Sequence, residues 1–298
     1  MFSGGGVSTG FSGGIDSFCT IYDHCVTEAD REYKINKLIL LNVGAFSCGG
    51  REGDIKFQKV KFDQTYKYLS KYPEEIGIEF IPIDSNLQDF CLWDHALTST
   101  LTLCAGILSM QNTIDKYYIA SIGWNLRETL MYCEHYLGKE MEYLEPVITH
   151  LLSTESLEFI ADGSQYTRAQ KLQRIVDYEP VSRYLHVCIS GNAMAENCSV
   201  CSKCCRTLMA LKSLNKLDVF AGLFDVKKYE EKAERQYLCK QVLAEDDAFA
   251  IQNIELAKKN NIPLPSVFEC KIAAIIKKIY RRLCNIPAGI KRRLLGSK

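Results

Sequence analysis

The chain has 298 residues, 47% of them hydrophobic and 24% charged, with 36 basic and 36 acidic side chains. Those values predict a soluble globular enzyme of one or two domains with a large core. No apolar run reaches the roughly 18 residues of a spanning helix, and no basic segment followed by an apolar core opens the chain, which argues against a membrane span and a signal peptide.

Charge neutrality hides an asymmetry. Residues 271–298 carry nine Lys or Arg and no acid, so residues 1–270 hold 27 basic against 36 acidic side chains. The fourteen cysteines, nine of them scattered singly, read as reduced cytosolic thiols plus one metal cluster and not as a disulfide framework.

A strand is predicted over residues 7–11, either as the first element or preceded by a segment further upstream. Two glycines, Gly13 and Gly14, follow, and then an apolar-periodic helix carrying Phe18, Ile21, Tyr22 and Cys25. Glycines at such a turn let backbone N–H groups approach a ligand, and the unpaired amides and dipole of the helix start favour an anion. Ser12 and Ser17 offer hydroxyl donors, and Asp16 is placed to orient them or to hold Mg²⁺ against phosphate. The plainer alternative is a Gly-Gly turn with Asp16 or Ser17 as N-cap. A Walker loop fails: Gly5 and Gly10 have its spacing, but Phe11 and Ser12 stand where it needs lysine and a hydroxyl.

Next, the continuous apolar run 37–44 suits a strand buried on both faces of a parallel sheet. Residues 54–71 read as a helix, 76–84 as a third strand, 94–114 as a helix and 116–122 as a fourth strand. Residues 127–150, rich in Glu, Tyr and His, read as a lid, a substrate-binding insert or a plain surface helix. A fifth strand is predicted over 157–162 and a helix from Thr167. Strands alternating with helices predict a doubly wound, mostly parallel five-stranded α/β sheet.

Ligands bind such sheets beyond the carboxyl ends of the strands. The motif turn, Asn42 to Gly44, Asp84 to Asn86 and Ser121 to Asn125 would then ring one crevice, unless the later sets are ordinary polar loops. Arg168 and Lys171 open the helix after Thr167, where the dipole disfavours cations, so they point to a nearby anion or are simply solvated.

Cys188, Cys198, Cys201 and Cys204 are spaced C-x₉-C-x₂-C-x₂-C, with Cys205 adjacent. Four thiolates suit a closed, structural Zn²⁺ site ahead of an iron-sulfur cluster, although Cys205 could share the ligand role or a free thiol could carry sulfur. Asn197, Cys198 and Ser199 also fit a glycosylation sequon, but Cys198 has the better use as a ligand.

Beyond the cluster the pattern is helical over 206–217 and 227–260. Ile272, Ile275, Ile276, Ile279, Tyr280 and Leu283 then recur at helical spacing against Lys277, Lys278, Arg281 and Arg282. This basic amphipathic helix docks on the acidic body, lies on an anionic membrane surface, or holds nucleic acid; the last ranks lowest because no aromatic stacking motif interleaves the cations.

The run Ser12, Gly13, Gly14, Ile15, Asp16, Ser17 resembles the SGGxDS signature of the PP-loop, or N-type, ATP pyrophosphatases. The resemblance covers residues 7–210 in order and motifs, and within the family it is similar to the 7-cyano-7-deazaguanine synthases and to uncharacterised bacterial relatives. It implies an adenine nucleotide alpha hydrolase-like fold that splits ATP between its α and β phosphates. Ser12, Gly13, Gly14, Asp16 and Ser17 would grip phosphate, with Asp16 and Ser17 catalytic, Val43 near the adenine and Ser121 near the phosphates.

By the same match Arg168 takes the place of a family lysine, a departure because Arg and Lys are not equivalent at phosphate. Zinc falls on Cys188, Cys198, Cys201 and Cys204. The expected organisation is an ATP-binding domain over 1–180, a zinc segment over 181–215 packed on it, and a helical extension over 216–298.

The expected reaction is adenylation of an acceptor oxygen of a small molecule, with ATP and Mg²⁺, followed by displacement with a nitrogen nucleophile. Ammonia would be free or come from a donating partner protein. Sulfur transfer to a nucleobase, with a sulfur-donating partner, is the second reading, and a non-catalytic ATP- or AMP-binding zinc module the third. The expected location is cytoplasmic; docking of the basic helix on the acidic body is the leading reading, and peripheral membrane contact is the alternative after it.

Overall fold

The structure is a computed structural model and describes residues 5–44, 46, 55–87, 95–136, 144–188, 196–244 and 247–284. Five strands form one sheet: β1 (Gly6–Gly10), β2 (Lys37–Asn42), β3 (Glu79–Asp84), β4 (Ile114–Ala120) and β5 (Glu158–Asp162). All neighbours pair in parallel, in the order β3-β2-β1-β4-β5. The order reverses at β1, which runs between β2 and β4, so the switch point of this doubly wound sheet falls at the end of the motif strand.

Period-two alternation sorts the strand side chains into two cores. Val7, Leu38, Leu40 and Tyr118 face one way and join the larger core. Ile39, Tyr117, Ile119 and Phe159 face the other and pack on Cys104 and Ile107 of helix α4 (His95–Leu108). Thr9 is buried in the central strand, and its hydroxyl donates to the Tyr118 carbonyl at 2.9 Å.

The larger core is assembled by α1 (Ile15–Ile21), α2 (Ile55–Leu69), α7 (Arg168–Ile175), α9 (Ser202–Ser213) and α12 (Ala248–Lys259). It runs without a break from Val7 to Ala257, so α12 shares a core with the motif strand. The remaining described helices are α3 (Lys71–Ile76), α5 (Leu126–Tyr136), α6 (Glu145–Ile148), α8 (Glu179–Tyr184), α10 (Val226–Lys232), α11 (Glu234–Val242) and α13 (Val267–Cys284). None of the described helices is long and apolar enough to cross a membrane.

Three local features depart from the sequence expectation. α1 passes into a π-helical turn over Tyr22–Thr27, which brings His24 round to β5. The third strand starts at Glu79, because α3 ends on Gly77 in the left-handed conformation (φ 66°). The segment 127–150 becomes α5, α6 and a 3₁₀ turn over Thr149–Leu152, with its middle outside the described residues.

Candidate functional site

The motif turn follows β1 directly. Gly13 has φ +72°, and a Cβ there would lie 2.7 Å from Leu69 Cδ2 and 3.2 Å from His186 Cβ, so any other residue would be strained. Gly14 is the extended N-cap of α1. Among the described residues the N–H groups of Ser12, Gly13, Ile15, Asp16 and Ser17 have no acceptor, and that of Gly14 reaches only Ser12 Oγ at 3.4 Å. Ser17 Oγ donates to the Gly14 carbonyl at 3.0 Å and lies 3.4 Å from Ser12 Oγ. Five amides without an acceptor among the described residues and two hydroxyls on one short turn make a candidate anion cradle.

Two cations meet Asp16, beside that cradle. Arg168 Nη1 pairs with Asp16 Oδ2, and Lys171 Nζ lies 3.3 Å from Asp16 Oδ1 and donates to the Ser121 carbonyl. The Lys171 side chain is 1% exposed and those of Asp16 and Arg168 are 13% exposed. Burial works against the Asp16 carboxylate, but the charges of Arg168 and Lys171 outweigh it and hold its pKa below the usual range.

Both cations ride on α7, whose N-terminus is fixed by a capping box: Thr167 Oγ1 accepts from Gln170 N, and Gln170 Oε1 accepts from Thr167 N. The sequence left Lys171 between ligand and solvent; it is fully buried and reaches the site.

Gln252 of α12 also reaches this corner. Its Oε1 accepts from Arg168 N at 3.0 Å, and its Nε2 donates to the Gly123 carbonyl and to Glu128. Nothing in the sequence marked Gln252, because only the tertiary fold brings residue 252 against residues 123 and 168.

The loops expected to ring one crevice form two groups. Asn42, Lys59, Asp84, Ser85, Asn86 and Gly106 line a cavity of about 580 Å³ beyond β2 and β3. Within it Asp84 accepts from Asn42 Nδ2 and Lys59 Nζ, each at 2.8 Å, and the Lys59 bond foremost lowers its pKa. Val43 is buried beside Gly106, while its neighbour Asn42 faces the cavity. Ser121 belongs to the other group: its carbonyl holds Lys171, and its buried Oγ has no hydrogen-bond partner among the described residues.

The sulfurs of Cys188, Cys198, Cys201 and Cys204 all lie within 4.8 Å of one another, with two pairs at 3.9 Å. Sulfurs about 2.3 Å from one tetrahedral ion would stand nearly that far apart, so this donor set fits a single metal ion. Cys205 points away into the core, its Sγ near the Ser199 carbonyl, and burial pushes its thiol up to about 12. The segment is also joined to the motif turn, since His186 N donates to the Gly13 carbonyl at 2.7 Å.

No known family profile matches the chain, and no curated protein matches it in sequence. Among solved structures, the U34-tRNA thiolase NcsA from Methanococcus maripaludis, seen with its [4Fe-4S] cluster, is similar at 17% identity and a TM-score of 0.38. That match covers 77% of this chain and 73% of that chain. So loose a likeness leaves the functional argument to the site itself.

Proposed function

We propose that the chain is a PP-loop ATP pyrophosphatase-type enzyme that adenylates an acceptor oxygen and releases pyrophosphate. The observation that carries this reading is the run of amides at the switch point that have no acceptor among the described residues, on the same turn as Asp16, which pairs with Arg168 and Lys171. The acceptor oxygen attacks the α phosphorus, an O–P bond forms, and the bond to the β phosphate breaks with its electrons leaving on pyrophosphate. Cradle amides, Ser12 and Ser17 would bind that leaving group, and the two α7 cations would offset its charge. The cavity beside Asn42 and Asp84 is the place for the adenosine.

Asp16, whose carboxylate lies at the cradle, already meets two cations, so it has little charge to spare for a dedicated Mg²⁺ site. Mg²⁺ would arrive on the nucleotide, held chiefly by its phosphates. In the second half-reaction a nitrogen nucleophile bonds to the activated carbon and AMP leaves with the C–O electrons. The nitrogen reading rests on the order of motifs in the sequence alone, with ammonia free or delivered by a partner.

Sulfur transfer remains the second reading. The deep burial of Cys205, whose Sγ points into the core, argues against that thiol as the donor, since a sulfur donor must reach its acceptor. For the four-cysteine site zinc is the assignment supported by the close sulfurs, because a multi-iron cluster spreads its thiolates over separate irons. A closed zinc site would brace His186 and the motif turn without touching substrate.

The test is AMP and pyrophosphate release with candidate acceptors, together with mass spectrometry for an adenylated species. Stoichiometric release that disappears in Asp16→Asn supports the enzyme. Nucleotide binding with no release from any acceptor would instead indicate a non-catalytic ATP-binding module.

A further inference from the structure

The last described helix, α13, buries the wrong side for a simple packing helix. Cys270 is fully buried, and Ala273 and Lys277 are half-buried, along the strip that meets α11. The opposite face carries Phe268, Ile272, Ile275, Ile276 and Ile279, which are 41% to 73% exposed. Spaced at i, i+4, i+7, i+8 and i+11, these five side chains form one apolar stripe along three turns. A continuous exposed stripe of this kind marks a surface that something covers.

The charges choose the occupant. At 100° per residue Lys271 and Lys278 fall on one flank of the stripe, and from Lys271 onward the chain has nine cations and no acid. Glu269, the acid nearest this run, is engaged at the helix start, where it accepts from Ser266 N and Oγ at 2.7 and 2.8 Å.

A second copy would fit the stripe but would set Lys271 and Lys278 against each other across a seam with no acid after residue 270. A nucleic acid would match the cations and leave five large apolar side chains in water. An anionic lipid surface satisfies both features, taking the stripe into the acyl boundary and the cations to its headgroups. With no described helix able to span a bilayer, the helix would lie in the surface plane.

We propose that α13 anchors the protein to an anionic bilayer surface through Phe268, Ile272, Ile275, Ile276 and Ile279, flanked by its basic run. Residues 1–270 carry nine more acids than bases and are repelled by such a surface, so this end alone would make the contact.

The test is flotation of the full chain with vesicles of phosphatidylcholine alone or with about a third phosphatidylserine. The expected result is several-fold more bound protein on the anionic vesicles, falling as salt is raised. The triple variant Ile275→Ser, Ile276→Ser, Ile279→Ser and the pair Lys271→Glu, Lys278→Glu should each lower binding about tenfold. Both should keep the wild-type melting temperature, because these side chains are exposed.

Phe268→Trp should report insertion by a blue shift on anionic vesicles only. Equal binding to neutral vesicles, or none to either, overturns the proposal. So does a concentration-dependent dimer that the Ile variant dissolves, or RNA binding that survives the Ile variant and displaces the vesicles.

Discussion

Asp16 is held by two cations that have few other partners, and this asymmetry fixes how mutations should behave. Removing the carboxylate in Asp16→Ala leaves Arg168 and Lys171 buried and uncompensated, at a cost of about 3–5 kcal/mol. Lys171→Met leaves Asp16 still paired with Arg168 and should cost about 1–3 kcal/mol. Both should lower pyrophosphate release about a hundredfold or more. Urea unfolding beside the release assay checks the ranking: equal destabilisation would mean that Lys171 and Asp16 are not joined as described.

Gly13→Ala asks for a left-handed alanine pressed on Leu69 and His186, so a loss of about 2 kcal/mol or more should appear as a lower urea midpoint. At this scale the sequence was informative where chemistry is local. Gly13, Gly14, Asp16 and Ser17 announce a glycine turn leading into a helix by their order alone. Lys171 and Gln252 do not, because their roles depend on which distant atoms the fold places at their tips.

Among the elements, α7 couples helix start to site geometry. Thr167→Ala removes half of the capping box at a cost of about 1 kcal/mol, and it should loosen the cations of α7. Activity should fall by more than that free energy alone implies, read as a drop in kcat/KM beyond the change in folded fraction.

The π-helical turn after α1 makes a second link. His24 Nε2 bonds Asp162 Oδ1 at 2.9 Å, Thr20 Oγ1 donates to Asp162 Oδ2 at 2.6 Å, and the His24 ring stacks on Tyr118 at 4.0 Å. Burial opposes charge on both groups, but their mutual bond wins, raising the pKa of His24 and lowering that of Asp162.

The link is therefore at full strength between the unfolded values, about 4 for Asp and about 6.5 for His. It weakens as pH rises through the raised His24 pKa and as pH falls through the lowered Asp162 pKa. In His24→Gln the loss of stability should be largest near pH 5 to 6 and shrink toward pH 9, measured by urea unfolding across that range. The strands were readable from apolar runs and from the motif that follows β1, whereas the π turn and the contact it makes with a residue 138 positions away were not.

For the whole molecule, the parallel pairing follows from strands alternating with helices, whereas the order β3-β2-β1-β4-β5, and with it the reversal beside the candidate site, comes only from the fold. Packing across the chain could not be read in the same way. The larger core joins β1 to α12, so a helix from the carboxyl-terminal third helps to hold the loop beside Ser121.

The hydrogen bond from His186 to Gly13 sets the four-cysteine segment against the anion cradle. Two ligands that each order a shared joint must assist one another equally, so metal loading and nucleotide affinity are reciprocal quantities. Saturating ATP should raise the metal affinity read by equilibrium competition with a chelator, and the stripped protein should bind ATP more weakly by the same factor. Equal metal affinities with and without nucleotide would show that the joint transmits nothing.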